Sequence, residues 1–187
     1  MKLTLSKSSK DVPTNTTLVV FVPSVGDSKK DKKKKATGPS VSELNGELNA
    51  LLSEAMTEKS FLGGEKETCF FRSCNVGGVK SLLAIGLGDK SKINNETLRS
   101  AAAVAHGVLS AAKITKAHFH LASALAGQKD VSGALQALCE GLLLADYTME
   151  ECKGKKDSKD ESPKFFESVL VPAARSNASS LKKAVET

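Results

Sequence analysis

The chain has 187 residues, 40% hydrophobic and 26% charged, which fits one folded domain and excludes a disordered or fibrous chain. With no Trp, one Tyr and seven Phe, base stacking on aromatics is not the expected basis of its action. No uncharged apolar run approaches the roughly 18 residues of a membrane helix, and the start Met1 to Lys7 has no apolar signal core, so a cytoplasmic protein is expected.

The net charge of +6 is unevenly placed. Asp27 to Lys35 reads DSKKDKKKK, and Lys29, Lys30, Lys32, Lys33, Lys34 and Lys35 supply most of the excess. A lysine run without Arg or aromatics reads first as a solvated loop. Its functional reading is a weak, salt-sensitive contact with a polyanion such as nucleic acid. The four cysteines, Cys69, Cys74, Cys139 and Cys152, form no C-x-x-C pair, and no His is spaced to complete a zinc site. Free thiols in a reducing compartment are expected.

In chain order, Lys2 to Leu5 predicts a short strand. Thr17 to Val22 is β-branched and continuously apolar, a strand covered on both faces and stopped by Pro23. Residues 26–40 predict a long, mobile loop. Ser42 to Glu58 predicts a helix with Leu44, Leu48, Leu51, Leu52 and Ala55 on one stripe, capped by Ser40 or Ser42. Thr68 to Ser73 and Ser81 to Ile85 predict two strands, with a tight turn at Gly77-Gly78 between them.

The clearest element is a helix capped by Asn94 or Asn95. Leu98, Ala101, Ala102, Ala105, Val108, Leu109 and Ala112 form its stripe, and the small residues suit close packing. Ala117 to Leu121 predicts a strand. Asp130 or Ser132 caps a helix with Leu135, Leu138, Cys139 and Leu142 on one face. A charged loop, Glu150 to Glu161, leads to a strand at Phe165 to Val171. Asn177 to Glu186 begins a helix of marginal length. Strands alternating with helices define an α/β fold with helices on both faces of a mostly parallel sheet.

Three constellations bear on chemistry. Gly86-Leu87-Gly88 ends a strand ahead of a helix, where backbone N–H groups can approach a phosphate. It lacks a third glycine and carries Asp89, so a strand-ending turn is the better reading. His118-x-His120 places two imidazoles on one strand face, as a metal pair needs, but no third ligand is spaced to join them. His106 reads as a packing residue rather than a base. No Gly-x-Ser-x-Gly elbow and no carboxylate cluster is visible. No catalytic, cofactor-binding or metal-ligating residue is assigned.

The run Glu140-Gly141-Leu142-Leu143-Leu144-Ala145-Asp146-Tyr147, followed by Lys153-Gly154-Lys155-Lys156, resembles the cytosol (leucyl) aminopeptidase family. Leu83-Ala84-Ile85-Gly86-Leu87-Gly88 followed by Leu98-Arg99-x-Ala101-Ala102 is similar to that family's strand and helix-start pattern, as is the strand Ser168-Val169-Leu170. The lysine tract departs from it. The resemblance implies a macro-like, three-layer N-terminal domain over residues 1–175 and the start of an interdomain helix over 176–187. It implies a parent hydrolase acting through two divalent metals such as Zn or Mn, and hexamer assembly. The family's N-T-D-A-E-G-R motif does not occur in this chain. The expected role is therefore a non-catalytic assembly or regulatory domain, partnered by a catalytic domain and by other subunits. The rival readings are a macro-like module for ADP-ribose or a similar phosphate ligand, and a nucleic-acid-binding domain using the lysine tract.

The lysine tract is expected to be dispensable for folding, because closure cost grows only by about 0.6 kcal/mol per doubling of loop length. Replacing residues 28–36 by a short Gly/Ser link should leave the melting temperature within a few degrees. The same change should abolish salt-sensitive retention on a polyanion column. Undiminished retention places the basic site elsewhere.

Overall fold

The computed structural model describes residues 2–5, 15–24, 44–126, 128–147 and 167–171. The lysine tract, the charged loop at 150–161 and the C-terminal helix predicted at 177–186 lie outside the described residues. The elements, in order, are β1 (Lys2–Leu5), β2 (Thr16–Ser24), α1 (Gly46–Thr57), β3 (Thr68–Phe71), β4 (Val79–Asp89), α2 (Asn95–Ala111), β5 (Lys116–His120), α3 (Leu121–Leu125), α4 (Val131–Asp146) and β6 (Glu167–Val171). They build one six-stranded sheet in the order β1-β6-β5-β2-β4-β3. Every neighbouring pair is parallel except β3 with β4. The mostly parallel α/β reading holds.

The continuously apolar strands are apolar because both faces are covered. On β2, Val19 and Phe21 face α2 and α4, while Leu18, Val20 and Val22 face α1. On β4, Leu83, Ile85 and Leu87 join the first set, and Leu82 and Ala84 the second. Phe21 stacks near Phe119 of β5, with ring centroids 6.4 Å apart. Leu48, Leu52 and Ala55 of α1 close the opposite face with Phe61.

Several boundaries differ from expectation. Pro23 does not stop β2, which continues to Ser24 through a register shift between Val22 and Pro23. An irregularity is where a strand tolerates a residue with no N–H. Helix α1 starts at Gly46, capped by Asn45, whose side chain accepts from the Glu47 N–H at 3.0 Å. An Asn immediately ahead of the stripe supplies the cap. Helix α2 is capped by Asn94 and α4 by Asp130, as two of the expected alternatives had it. Helix α3 was not foreseen. It is buried throughout, so its five residues show no polar–apolar period.

Helix α3 also completes the sheet. The β2–β5 ladder reaches Val19 against Phe119. Two residues further, the Phe21 N–H donates instead to Ser123 Oγ at 3.0 Å, and that hydroxyl donates to the His120 carbonyl at 2.6 Å. A buried N–H in the central strand is thereby satisfied by a side chain.

Gly77 and Gly78 make the expected tight turn, both at positive φ, with Val76 bridged to Val79. Gly86-Leu87-Gly88, in contrast, is not a strand-ending turn. It lies inside β4, because loop 61–67 carries on the pairing where β3 begins. The Gly86 N–H donates to Glu67 O at 2.7 Å, Lys66 N–H to Gly86 O at 3.0 Å, and Gly88 N–H to Gly63 O at 2.9 Å. A Cβ on Gly86 would lie 1.9 Å from the Gly64 carbonyl oxygen. Gly86→Ala should therefore cost about 2–3 kcal/mol through overpacking. Gly107→Ala, in α2 with nothing within 4 Å of the added methyl, should gain ~0.5–1 kcal/mol. Urea unfolding of both variants checks the pair.

Candidate functional site

The glycines of Gly86-Leu87-Gly88, a candidate phosphate cradle by sequence, are committed to the sheet. The N–H groups of Gly86 and Gly88 already donate to backbone carbonyls. Asp89, one residue on, accepts from the Ser91 N–H at 2.9 Å and from the Ser91 hydroxyl at 2.8 Å. Those hydrogen bonds hold its exposed carboxyl below the ordinary aspartate range, so the turn carries a negative charge.

Past this turn lies a cleft of about 710 Å³, between the end of β4 and the starts of α2 and α4. Lys90, Ile93, Arg99, Gln128 and Lys129 contribute to its lining. Both helix starts are internally capped. Asn94 Oδ1 accepts from the Thr97 N–H at 2.9 Å, and Asp130 Oδ1 from the Gly133 N–H at 3.0 Å. Arg99 turns toward Glu96 and Glu140. At its mouth the Ser91 hydroxyl is held by the Asp89 carboxylate, with no histidine among the described lining residues.

His118 and His120 share a strand face, as alternation requires, and both are buried. His120 Nδ1 accepts from the Ser123 N–H at 3.3 Å, which makes it the cap of α3. Among the described residues no three His, Cys, Asp or Glu side chains are grouped to hold a metal ion. Cys69, Cys74 and Cys139 are free thiols, and Cys152 lies outside the described residues. Burial pushes the Cys139 thiol up to about 11, which leaves it protonated and unreactive at neutral pH.

The motif residues instead meet one another. Gly141 of α4 sits so close to α2 that a Cβ there would lie 2.2 Å from the Arg99 carbonyl oxygen and 3.0 Å from Ala102 Cβ. Beside this contact, Arg99 donates from Nη2 and Nε to Glu140 Oε2, at 2.7 and 3.1 Å. Gln136 Nε2 donates to the other Glu140 oxygen at 2.9 Å. Hydrogen bonds from Arg99 first, then Gln136, hold the Glu140 carboxyl below its ordinary range. Two turns further along α2, His106 Nε2 lies 3.1 Å from Asp146 Oδ1. His106 is thus largely buried at a helix–helix contact. The Arg99–Glu140 pairing was not foreseen. Its signal was present, since each residue stands in one of the two motif fragments.

A six-stranded mixed sheet in this order, layered between helices, places the chain in the macrodomain-like class of α/β domains. The macrodomain of Mycobacterium tuberculosis DarG shares the fold at a TM-score of 0.54 and 10% identity, over 91% of this chain and 98% of that one. Tomato leucine aminopeptidase, as a point mutant, matches at a TM-score of 0.68 and 16% identity, over 100% of this chain and 35% of that one. The sequence model for the N-terminal domain of the cytosol aminopeptidase family matches residues 18–156. The chain belongs to that family and is its N-terminal domain. A probable cytosol aminopeptidase of Bdellovibrio bacteriovorus is 32% identical over 153 residues, 81% of this chain and 29% of that protein. One of Trichormus variabilis is 33% identical over 127 residues, 63% of this chain and 25% of that protein. The chain thus spans less than a third of these curated relatives.

The depressed Glu140 pKa fixes the sign of a pH effect. The ionised carboxylate favours the folded state fully above its ordinary value near 4.5, and the contribution is lost as pH falls through the lower folded value. Glu140→Gln should lower the urea midpoint more at pH 7 than at pH 3. Equal losses at both pH values would show that the ionised pair is not the cause.

Proposed function

We propose that this chain is the non-catalytic N-terminal domain of a cytosol-aminopeptidase-type metallopeptidase, acting in assembly and in shaping access to a catalytic part. The observation that carries this reading is the family match over residues 18–156, in proteins of which the chain spans less than a third. The side-chain geometry agrees with it. The motif residues Arg99, Glu140 and Gly141 are used in joining two helices. The described residues do not fit the two divalent metals that the family implies. This proposal assigns that chemistry to the part of the relatives beyond this chain's span. Its partners are then a catalytic domain and further subunits, in a hexamer, within the cytoplasm. No helix of the described residues is long and apolar enough to cross a membrane.

A second reading has one topological observation in its favour. Parallel β2, β4 and β5 end on the same edge of the sheet. Lys90 and Lys92 follow β4 there, and Lys129 lies between α3 and α4. The chain leaves β2 at Ser24, five residues ahead of Lys29. On this reading, polyanion contact by this edge is an accessory to the assembly role.

The purified chain should release no product from a chromogenic leucyl substrate with or without Mn²⁺ or Zn²⁺. Metal-dependent turnover that co-purifies with the chain through successive columns overturns the non-catalytic reading.

A further inference from the structure

Asn45 and Gly46 are the one Asn-Gly pair in the sequence, and they stand where α1 begins. The Asn45 side-chain oxygen accepts from the Glu47 N–H at 3.0 Å, and its carbonyl accepts from the Asn49 N–H at 3.0 Å. Its amide nitrogen lies beside Gly77, 2.8 Å from where a Cβ on that residue would sit. Glu47 Oε2 accepts from the Gly77 N–H at 3.1 Å. The start of α1 is thereby tied to the turn between β3 and β4. The Gly46 N–H is one of the donors that a helix start leaves over, and it meets no acceptor among the described residues. A Cβ on Gly46 would find nothing within 4 Å, so the nitrogen is unshielded on both sides of its own residue.

We propose that Asn45-Gly46 is a self-modification site, where the Gly46 backbone nitrogen displaces the Asn45 side-chain amide when the first turn of α1 opens. The Gly46 nitrogen gives its proton to water and bonds to Asn45 Cγ. The Cγ–Nδ2 bond breaks, and ammonia leaves with a proton. Water then opens the five-membered imide at either carbonyl. Attack at Cγ returns the ordinary backbone with an aspartate in place of the asparagine. Attack at the main-chain carbonyl leaves the chain routed through Cβ and Cγ, an isoaspartate. The closed cap holds the reaction back. Ring closure needs Cβ and the Gly46 nitrogen eclipsed about the Cα–C bond, and the Asn45 ψ of 140° keeps them well apart. Opening is cheap, because Asn45, Gly46 and Glu47 are exposed and Leu48 is the first buried side chain of α1. Helix ends of this kind open locally at little cost. An aspartate still caps, since its carboxylate accepts the same N–H and suits a helix start. The isoaspartate adds one backbone atom and misplaces both the oxygen that caps Glu47 and the carbonyl that Asn49 bonds.

The test ages the purified full chain in mildly alkaline buffer at body temperature and follows every asparagine by peptide mapping and mass spectrometry. Asn45 should convert first, to aspartate and isoaspartate with isoaspartate in excess. Asn94 caps α2 in the same manner but is followed by Asn95, and it should stay intact over that time. Gly46→Ala should slow conversion several-fold. Glu47→Gly unties the helix start from Gly77 without touching the core, and should speed it several-fold. The chain unfolded in urea should convert faster than any folded form. The isoaspartate form, separated by ion exchange, should melt below the unaged chain, whereas Asn45→Asp should not. Another asparagine converting first, or Gly46→Ala ageing at the wild-type rate, overturns the proposal. So does an intact Asn45 after the time in which the unfolded chain has converted. Equal rates for the folded and unfolded chains overturn the gating by the cap, and an isoaspartate form that melts with the unaged chain overturns the loss of the first turn.

Discussion

The contact at Gly141 sets the spacing of one whole layer of the domain. With no side chain at that position, α4 approaches α2 until the Gly141 Cα lies beneath the Arg99 carbonyl. At that spacing Arg99 reaches Glu140, and His106 reaches Asp146. The two helices then present Leu98, Ala102, Leu135 and Leu138 as one surface over Val19, Phe21, Leu83 and Ile85. A bulkier residue would force the helices apart and leave voids over the central strands, where packing losses are most costly. The polar pairs add orientation. Arg99 is nearly a third exposed, so its bond to Glu140 fixes register more than it adds stability.

A second glycine contact closes the other end of the molecule. Gly86 lets loop 61–67 pair with β4 past the start of β3, and Glu67 secures that loop by accepting from the Leu62 and Gly64 N–H groups. The backbone donors that a bound phosphate would need are thereby used. Beyond it, the cleft is rimmed by Lys90 and Lys129 but built from helix starts that cap themselves. Likeness to a macrodomain is a statement about layers and strand order, and the site residues are what decide whether a ligand is held.

The fold was largely legible, because long strands with two covered faces and long helices with an unbroken stripe leave strong patterns. Thr17 to Val22 and Leu98 to Ala112 are the best instances. What was not legible depended on distant partners. Pro23 reads as a strand end until the irregularity in the pairing with β4 is known. Gly86 reads as a turn until Gly64 is placed against it. Buried throughout, α3 has no periodicity to read. The candidate site divides in the same way. Resemblance placed Arg99, Glu140 and Gly141 in family motifs, but only the crossing of α2 and α4 shows that these motifs meet.

The sheet's antiparallel edge limits how the molecule can grow. Strand β3 is four residues long, so its free side spans only about 14 Å. Arg72 lies over the Phe70 ring, 5.2 Å from its centre, and shields the aromatic surface there. Short length and a guarding cation are two of the means by which natural sheets refuse a further strand. Strand addition at this border is therefore disfavoured. An assembly that uses this border must join it through side chains, where geometry can be specific without inviting open-ended stacking of sheets.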